Sequence, residues 1–372
     1  MKKNTNVLLI GPLTKVGGLS KYVKDILTTN FEQKIIHFNI ARPVKKKVKK
    51  TAIGYKELFN AGIVRMITGV AVTLWHMFIF PFILVFKGPK IIHIAATGDF
   101  VFWEDSFYVL ISRLFGKKVF LHYLGSFDIY YNKSGSFHKR FIKYILLKCH
   151  FIGILSKKVQ NLVADITAQP YKLVLIPSSV DFSLFENKKT LIPRDETIKV
   201  LFLGGFDAYK KGISDILKVI PEITSENPTV KFVITSSKKL DIDLDEKIKN
   251  KIIFFEWIAD EDKIPLYNSC DIFLLPSYDE GLPYSMIEAM AAGLPVISTY
   301  IGGIPEVIEK NINGFLLSPG DLKSLKESIT KLIQDKKMRQ EMSVNNKEKI
   351  KNEYSLESNT VKIKTIYSVL LK

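Results

Sequence analysis

The chain has 372 residues, 47% of them apolar, and carries 54 Lys and Arg against 37 Asp and Glu, a formal net charge of +17. That length exceeds one ordinary core and suits two domains. Only two cysteines, Cys149 and Cys270, are present, which excludes a disulfide-built secreted scaffold and points to a reducing cytoplasm.

The charge is unevenly placed. Residues 1–190 hold 29 Lys and Arg against 10 Asp and Glu, whereas the remainder holds 25 against 27. The first half should therefore meet something anionic, such as a lipid headgroup surface or an anionic acceptor. Without a recognisable binding module, nucleic acid is not the expected partner.

The start, MKKNTNVLLIGP, is basic, but its apolar stretch has the length of a strand and not of a leader. A Gly-rich loop ending in Gly17 and Gly18 follows, where backbone can approach a ligand or simply turn tightly. A helix then places Leu19, Tyr22, Val23, Ile26 and Leu27 on one face, and IIHFNI reads as the second strand. The basic run Arg42 to Lys50 is either a solvated loop or a contact with an anionic surface. Met66 to Phe86 contains no Asp, Glu, Lys or Arg over 21 residues and is long enough to cross a bilayer. Pro81 should break or kink a helix there, and the strand KIIHIA follows directly. These features favour a buried or interface-lying helix over a span, with Trp75, Met77 and Phe78 available to dip into lipid.

A further strand ends at His122, and His93 lies on the strand before it as a structural residue. FHKRFIKYILLKC is a basic amphipathic helix. Phe185 to Thr197 is polar, contains a proline and sits between apolar strands, so it is the linker candidate. IKVLFLGG opens a second domain, and the loop GGFDAYKKG follows. TVKFVITSS is the next strand. Asp241 to Glu246 is an alternating acidic stretch best read as a solvated loop. No internal repeat is evident.

The most informative stretch runs from Leu274 to Ile308. Ile272 to Leu275 is a buried strand ending at Pro276, and a loop carries Glu280, Gly281 and Pro283. A helix begins near Ser285, which suits an N-cap, with Glu288 in capping-box spacing in the first turn. Gly293 ends it, PVIST is the next strand, and Gly302–Gly303 is the turn after. In an open parallel sheet, the rim beyond the strand carboxyl ends is where ligands bind. A helix N-terminus there suits a phosphate, and two carboxylates suit sugar hydroxyls. Read alone, Glu288 could equally be a cap residue and Glu280 a solvated charge.

The spacing E-x7-E, with G-x-P after the first Glu and E-A-M-A-x-G-x-P-V after the second, resembles the donor-site signature of glycosyltransferase family 4, a retaining family of the GT-B fold. The expected fold is α/β: two doubly wound, Rossmann-like domains facing across a cleft. The boundaries are 1–184 for an acceptor-binding domain, 185–197 for the linker and 198–354 for a nucleotide-sugar-binding domain, with helix 355–372 packing back on the first.

The resemblance implies glycosyl transfer from a nucleotide sugar to a saccharide acceptor, without a metal or other cofactor. It implies catalytic roles for Glu280, His122 and Lys211. For donor binding it implies Gly17, Gly18, Gly205, Lys210, the backbone near Trp257–Ile258, Gly281, Leu282, Pro283, Tyr284, Ser285 and Glu288. Phe206 stands where the family has Arg, which leaves open a protein that binds nucleotide or glycan without turnover. With the basic first half, the expectation is a cytoplasmic protein held peripherally at the inner face of an anionic membrane, acting on a lipid-linked saccharide.

Overall fold

The structure, a computed structural model, describes residues 6–14, 17–41, 63–98, 101–236 and 245–372, without the side chains of residues 63–66 and Phe206. The basic run Arg42 to Lys50, Ser237–Lys238 and most of the acidic stretch from Asp241 lie outside the described residues. The chain divides into two compact units, Met1–Pro177 with Ser358–Lys372, and Ser178–Glu357.

In the N-terminal unit the apolar runs pair as a parallel sheet. Its strands are β1 (Asn6–Gly11), β2 (Lys34–Asn39), β3 (Ile91–Ala96), β4 (Lys118–Tyr123), β5 (Phe151–Ile154) and β6 (Leu173–Leu175), in the order β2-β1-β3-β4-β5-β6. The near-continuous apolar character of β1 and β3 follows from helices covering both faces. Five helices fall along this stretch after α1 (Gly18–Thr28): α2 (Ile63–Phe86), α3 (Val101–Leu114), α4 (Phe127–Lys133), α5 (Ser136–Lys148) and α6 (Lys157–Thr167). One sheet face packs Leu8, Ile10, Ile92, Ile94 and Leu121 against Phe80 and Leu84 of α2, Tyr108 of α3 and Ile142 of α5. The other face carries His93, Phe120 and His122, whose rings lie side by side.

Pro81 does not break α2, which is continuous through it. Phe80 and Leu84, on either side of Pro81, are fully buried in the core. Burying each is worth about 2 kcal/mol, which together offsets the roughly 3 kcal/mol of an interior proline. The helix is half-embedded: Phe80 and Leu84 face the sheet, and much of the opposite side is exposed.

The C-terminal unit repeats the plan with β7 (Ile198–Leu203), β8 (Val230–Thr235), β9 (Ile252–Phe255), β10 (Ile272–Leu275), β11 (Val296–Thr299) and β12 (Gly314–Leu317), in the parallel order β12-β11-β10-β7-β8-β9. Its helices are α7 (Ile213–Glu226), α8 (Glu246–Lys249), α9 (Asp260–Asn268), α10 (Tyr284–Ala292), α11 (Leu322–Gln334) and α12 (Lys336–Glu353). The expected linker is bound tightly to this unit. Arg194 donates to Asp271 at 2.6 Å and to the Asn268 and Cys270 carbonyls, and Ser269 accepts from the Leu191 and Ile192 amides.

The last helix, α13 (Leu356–Leu371), leaves the C-terminal unit after its first two residues. From Ser358 onward it belongs to the N-terminal unit, where Asn359 donates to the Pro177 carbonyl and Tyr367 meets His93 at 2.6 Å.

Candidate active site

In both sheets the strand order reverses beside the first strand of the unit. In the C-terminal unit β7 connects onward to β8 on one side, while β10 lies on its other side. The loops leaving β7 and β10 therefore flank a topological switch point, the position where open parallel sheets bind ligands.

The loop after β7 turns through Gly204–Asp207 and delivers Lys210 and Lys211. Gly205, at φ 57°, and Gly212, at φ 88°, adopt the left-handed backbone this path needs. At Gly212 the need is also steric, since a Cβ there would lie 2.1 Å from the Pro276 carbonyl oxygen. The Lys210 carbonyl accepts from the Tyr278 amide at 2.8 Å and from Ser277 Oγ at 3.1 Å. These bonds lash the two loops together.

Glu280 is held on the loop after β10. Lys211 Nζ lies 3.8 Å from Glu280 Oε1, and Lys210 Nζ lies 3.6 Å from Asp279 Oδ2. Burial pushes the Glu280 carboxyl above the ordinary range; Lys211 pulls it back, while Asp279 and Asp207 push it further up. The turn after β11 cradles the same segment. Gly303 donates its amide to the Gly281 carbonyl at 2.7 Å, and Gly302, at φ 55°, approaches so closely that a Cβ would meet the Glu280 carbonyl oxygen at 2.1 Å. The Leu282 carbonyl accepts from Ser178 Oγ at 2.6 Å.

The start of α10 differs from the capping-box expectation. Pro283, at φ −71°, is the N-cap and no side chain caps the helix. The Pro283 carbonyl takes the Met286 and Ile287 amides. Ser285 is thus the second helical residue, with its Oγ buried and without a hydrogen-bond partner, and Glu288 lies in the second turn. The reason is that the loop is already turned and fixed at Gly281 and Leu282, so the helix opens before the serine. Glu288 is instead gripped by Tyr267 of α9, whose hydroxyl lies 3.0 Å from Glu288 Oε2 and 3.1 Å from the Ser285 carbonyl. Burial, then Glu288, holds the Tyr267 hydroxyl well above its ordinary pKa.

Trp257 and Ile258 lie half-buried in the loop after β9, on the same rim of strand ends. In the N-terminal unit, Gly17 precedes α1 at φ 118°, a conformation open to glycine, and Gly18 is the first residue of that helix. His122 lies one residue inside the end of β4 and is fully buried. Its Nε2 is 3.1 Å from the Ile176 carbonyl, which can only accept, so Nε2 carries the proton. Nδ1 has no partner, and burial drives the ring down to about 3, against the Ile176 contact, so it is neutral at pH 7.

Sequence reasoning missed Tyr267, Gly302 as a packing element, and the helices Val101–Leu114 and Lys336–Glu353. Tyr267 belongs to a stretch whose apolar pattern is broken by Pro265, and nothing in the sequence places it beside Glu288.

Residues 185–349 match the family model of glycosyl transferases group 1. The capsular polysaccharide biosynthesis glycosyltransferase CapM of Staphylococcus aureus is 27% identical over 168 residues, 44% of this chain and 44% of CapM. The chain thus spans less than half the length of that relative. A galactosyltransferase of Escherichia coli, named for transfer from UDP-Gal to GlcNAc-diphosphoundecaprenol, is 24% identical over 277 residues, 69% of this chain and 71% of its own. HepE from Anabaena, solved in complex with UDP-glucose, superposes with a TM-score of 0.71 at 16% identity, over 98% of this chain and 99% of its own. The chain therefore has the α/β fold of GT-B glycosyltransferases, and its segment 185–349, which carries Lys211, Glu280 and Glu288, matches the glycosyl transferases of group 1.

Proposed function

We propose that this protein is a metal-independent, retaining glycosyltransferase of family 4, moving a sugar from a nucleotide-sugar donor to a hydroxyl of a lipid-linked saccharide in surface polysaccharide or glycan synthesis. The observation that carries the reading is the pairing of half-buried Glu280 with Lys211 at the switch point of the C-terminal sheet. The UDP-glucose complex of a fold neighbour and the lipid-diphosphate acceptor in a relative's name support the choice of substrates.

As the bond between the anomeric carbon and the diphosphate breaks, negative charge grows on the departing phosphate. Lys211 and Lys210 are the cations placed to receive it, in a site partly shielded from water. Glu280 accepts hydroxyls of the transferred sugar and fixes the anomeric carbon, while Glu288, steadied by Tyr267, accepts the ribose hydroxyls. The acceptor oxygen bonds to the anomeric carbon on the face the phosphate leaves, and its proton passes to the departing phosphate oxygen, so no side-chain nucleophile is needed.

Phe206, at the position where the resemblance expects a second cation, favours one other reading: a protein that binds nucleotide or glycan without turnover. Nucleotide release from a panel of nucleotide sugars separates the two. Wild-type protein should release nucleotide, and Glu280→Gln should lose at least about a hundredfold in rate with an unchanged circular dichroism spectrum. Binding without release supports the second reading, and full activity in Glu280→Gln removes the first.

A further inference from the structure

The outer side of α2 is covered by nothing in the described N-terminal unit. Leu74, Trp75, Phe78, Phe82, Val85 and Phe86 form one stripe along it, with Phe78 63% and Phe86 80% exposed. Trp75 stacks on Phe78 at 6.0 Å, and Phe78 leans on Phe82 at 5.6 Å. The opposite stripe, His76, Phe80 and Leu84, is committed to the protein. His76 packs against Phe38 and lies 4.0 Å from Glu104, and Phe80 packs on Tyr108 at 4.8 Å.

We propose that this stripe docks the protein on an anionic bilayer, with α2 lying in the membrane plane and its aromatic face sunk at the boundary of headgroups and acyl chains. This deepens the lipid-linked acceptor reading and names the surface that would bring the enzyme to such an acceptor. Although 24 residues give a helix about 36 Å long, enough to span, crossing would strip Phe80 and Leu84 from the core they fill. In-plane docking leaves that core intact.

Charge selects lipid over a second copy of the chain. The N-terminal unit carries 30 Lys and Arg against 8 Asp and Glu, a net +22, so two copies repel while an anionic surface attracts. The stripe ends at Lys87 and Lys90, both exposed. In the same run of packed helices, α2 on α3 and α3 on α5, α5 exposes Phe137, Arg140 and Lys143. An aromatic stripe bordered by cations is the pattern of an interfacial helix.

The test is co-sedimentation of the full chain with phosphatidylcholine vesicles, with and without phosphatidylglycerol. Wild type should bind the phosphatidylglycerol vesicles and be released by alkaline carbonate. Combined Trp75→Ser, Phe78→Ser and Phe82→Ser should weaken partitioning by about tenfold or more, with donor hydrolysis in vesicle-free buffer unchanged as proof of folding. Lys87→Glu with Lys90→Glu should keep the stripe and lose the preference for phosphatidylglycerol. The proposal is overturned if the triple variant binds like wild type, if carbonate leaves wild type embedded, or if wild type ignores the vesicles, including the case of a dimer that the triple variant dissolves. Absent donor hydrolysis in wild type and variants alike would count against the glycosyltransferase reading and leave the docking surface standing.

Discussion

Glu280 sits in an environment that works against its own charge. Burial raises its pKa, so folding favours the protonated form over the ionised one. A carboxyl with a folded pKa above its unfolded value loses stability as pH climbs from the unfolded towards the folded value, and the full penalty persists above both. Glu280→Gln should therefore raise the melting temperature at pH 7, and the gain should vanish below the ordinary carboxylate range; thermal denaturation at both pH values checks it. A buried carboxyl with a raised pKa at the rim of strand ends, where open parallel sheets bind ligands, fits the proposed role of Glu280 in donor binding. Tyr267 has the complementary character, being a positioning residue whose hydroxyl steadies Glu288. Tyr267→Phe should cost about 1 kcal/mol of stability and raise KM for the donor by up to about tenfold, with kcat little changed; steady-state kinetics decide it, and an equal fall in kcat would contradict a role confined to donor binding.

Among the elements, the loops at the strand ends determine the site, and glycines determine the loops. Gly302 and Gly205 share nearly the same positive φ, 55° and 57°, yet their surroundings differ. A Cβ at Gly302 meets the Glu280 and Gly281 carbonyl oxygens at 2.1 and 2.4 Å, whereas nothing lies within 4 Å of one at Gly205. Gly302→Ala should thus cost roughly 2–4 kcal/mol and reduce donor hydrolysis at least about tenfold by displacing Glu280. Gly205→Ala should pay only the backbone strain, about 1–2 kcal/mol. Urea denaturation paired with hydrolysis rates separates the two effects. The sequence marked the strand, loop, helix and strand around Glu280 correctly, because Pro276, Gly293 and the apolar runs are local signals. It misplaced the helix start, because Ser285 has the local chemistry of a cap while the chain is turned earlier by bonds from Ser178 and Gly303, more than a hundred and about twenty residues away respectively.

At the scale of the whole molecule, charge and topology divide along the same line. The basic unit takes back the C-terminal helix, and Tyr22, His93 and Tyr367 form a buried chain across it, at 3.0 and 2.6 Å. The slightly acidic unit holds the carboxylates of the candidate site. Composition and periodicity by themselves determined the α/β class, the uneven charge and the apolar helix, since each is written in neighbouring residues, whereas the donor-site reading of the Glu280–Glu288 segment came from its resemblance to a family signature. Which strand lies beside which, and so that Lys211 meets Glu280, Tyr267 meets Glu288 and Gly302 presses on the Glu280 backbone, was decided only by tertiary structure. The parallel sheet brings together loops separated by tens of residues, and a contact made across such a distance leaves no period or spacing in the sequence to be read.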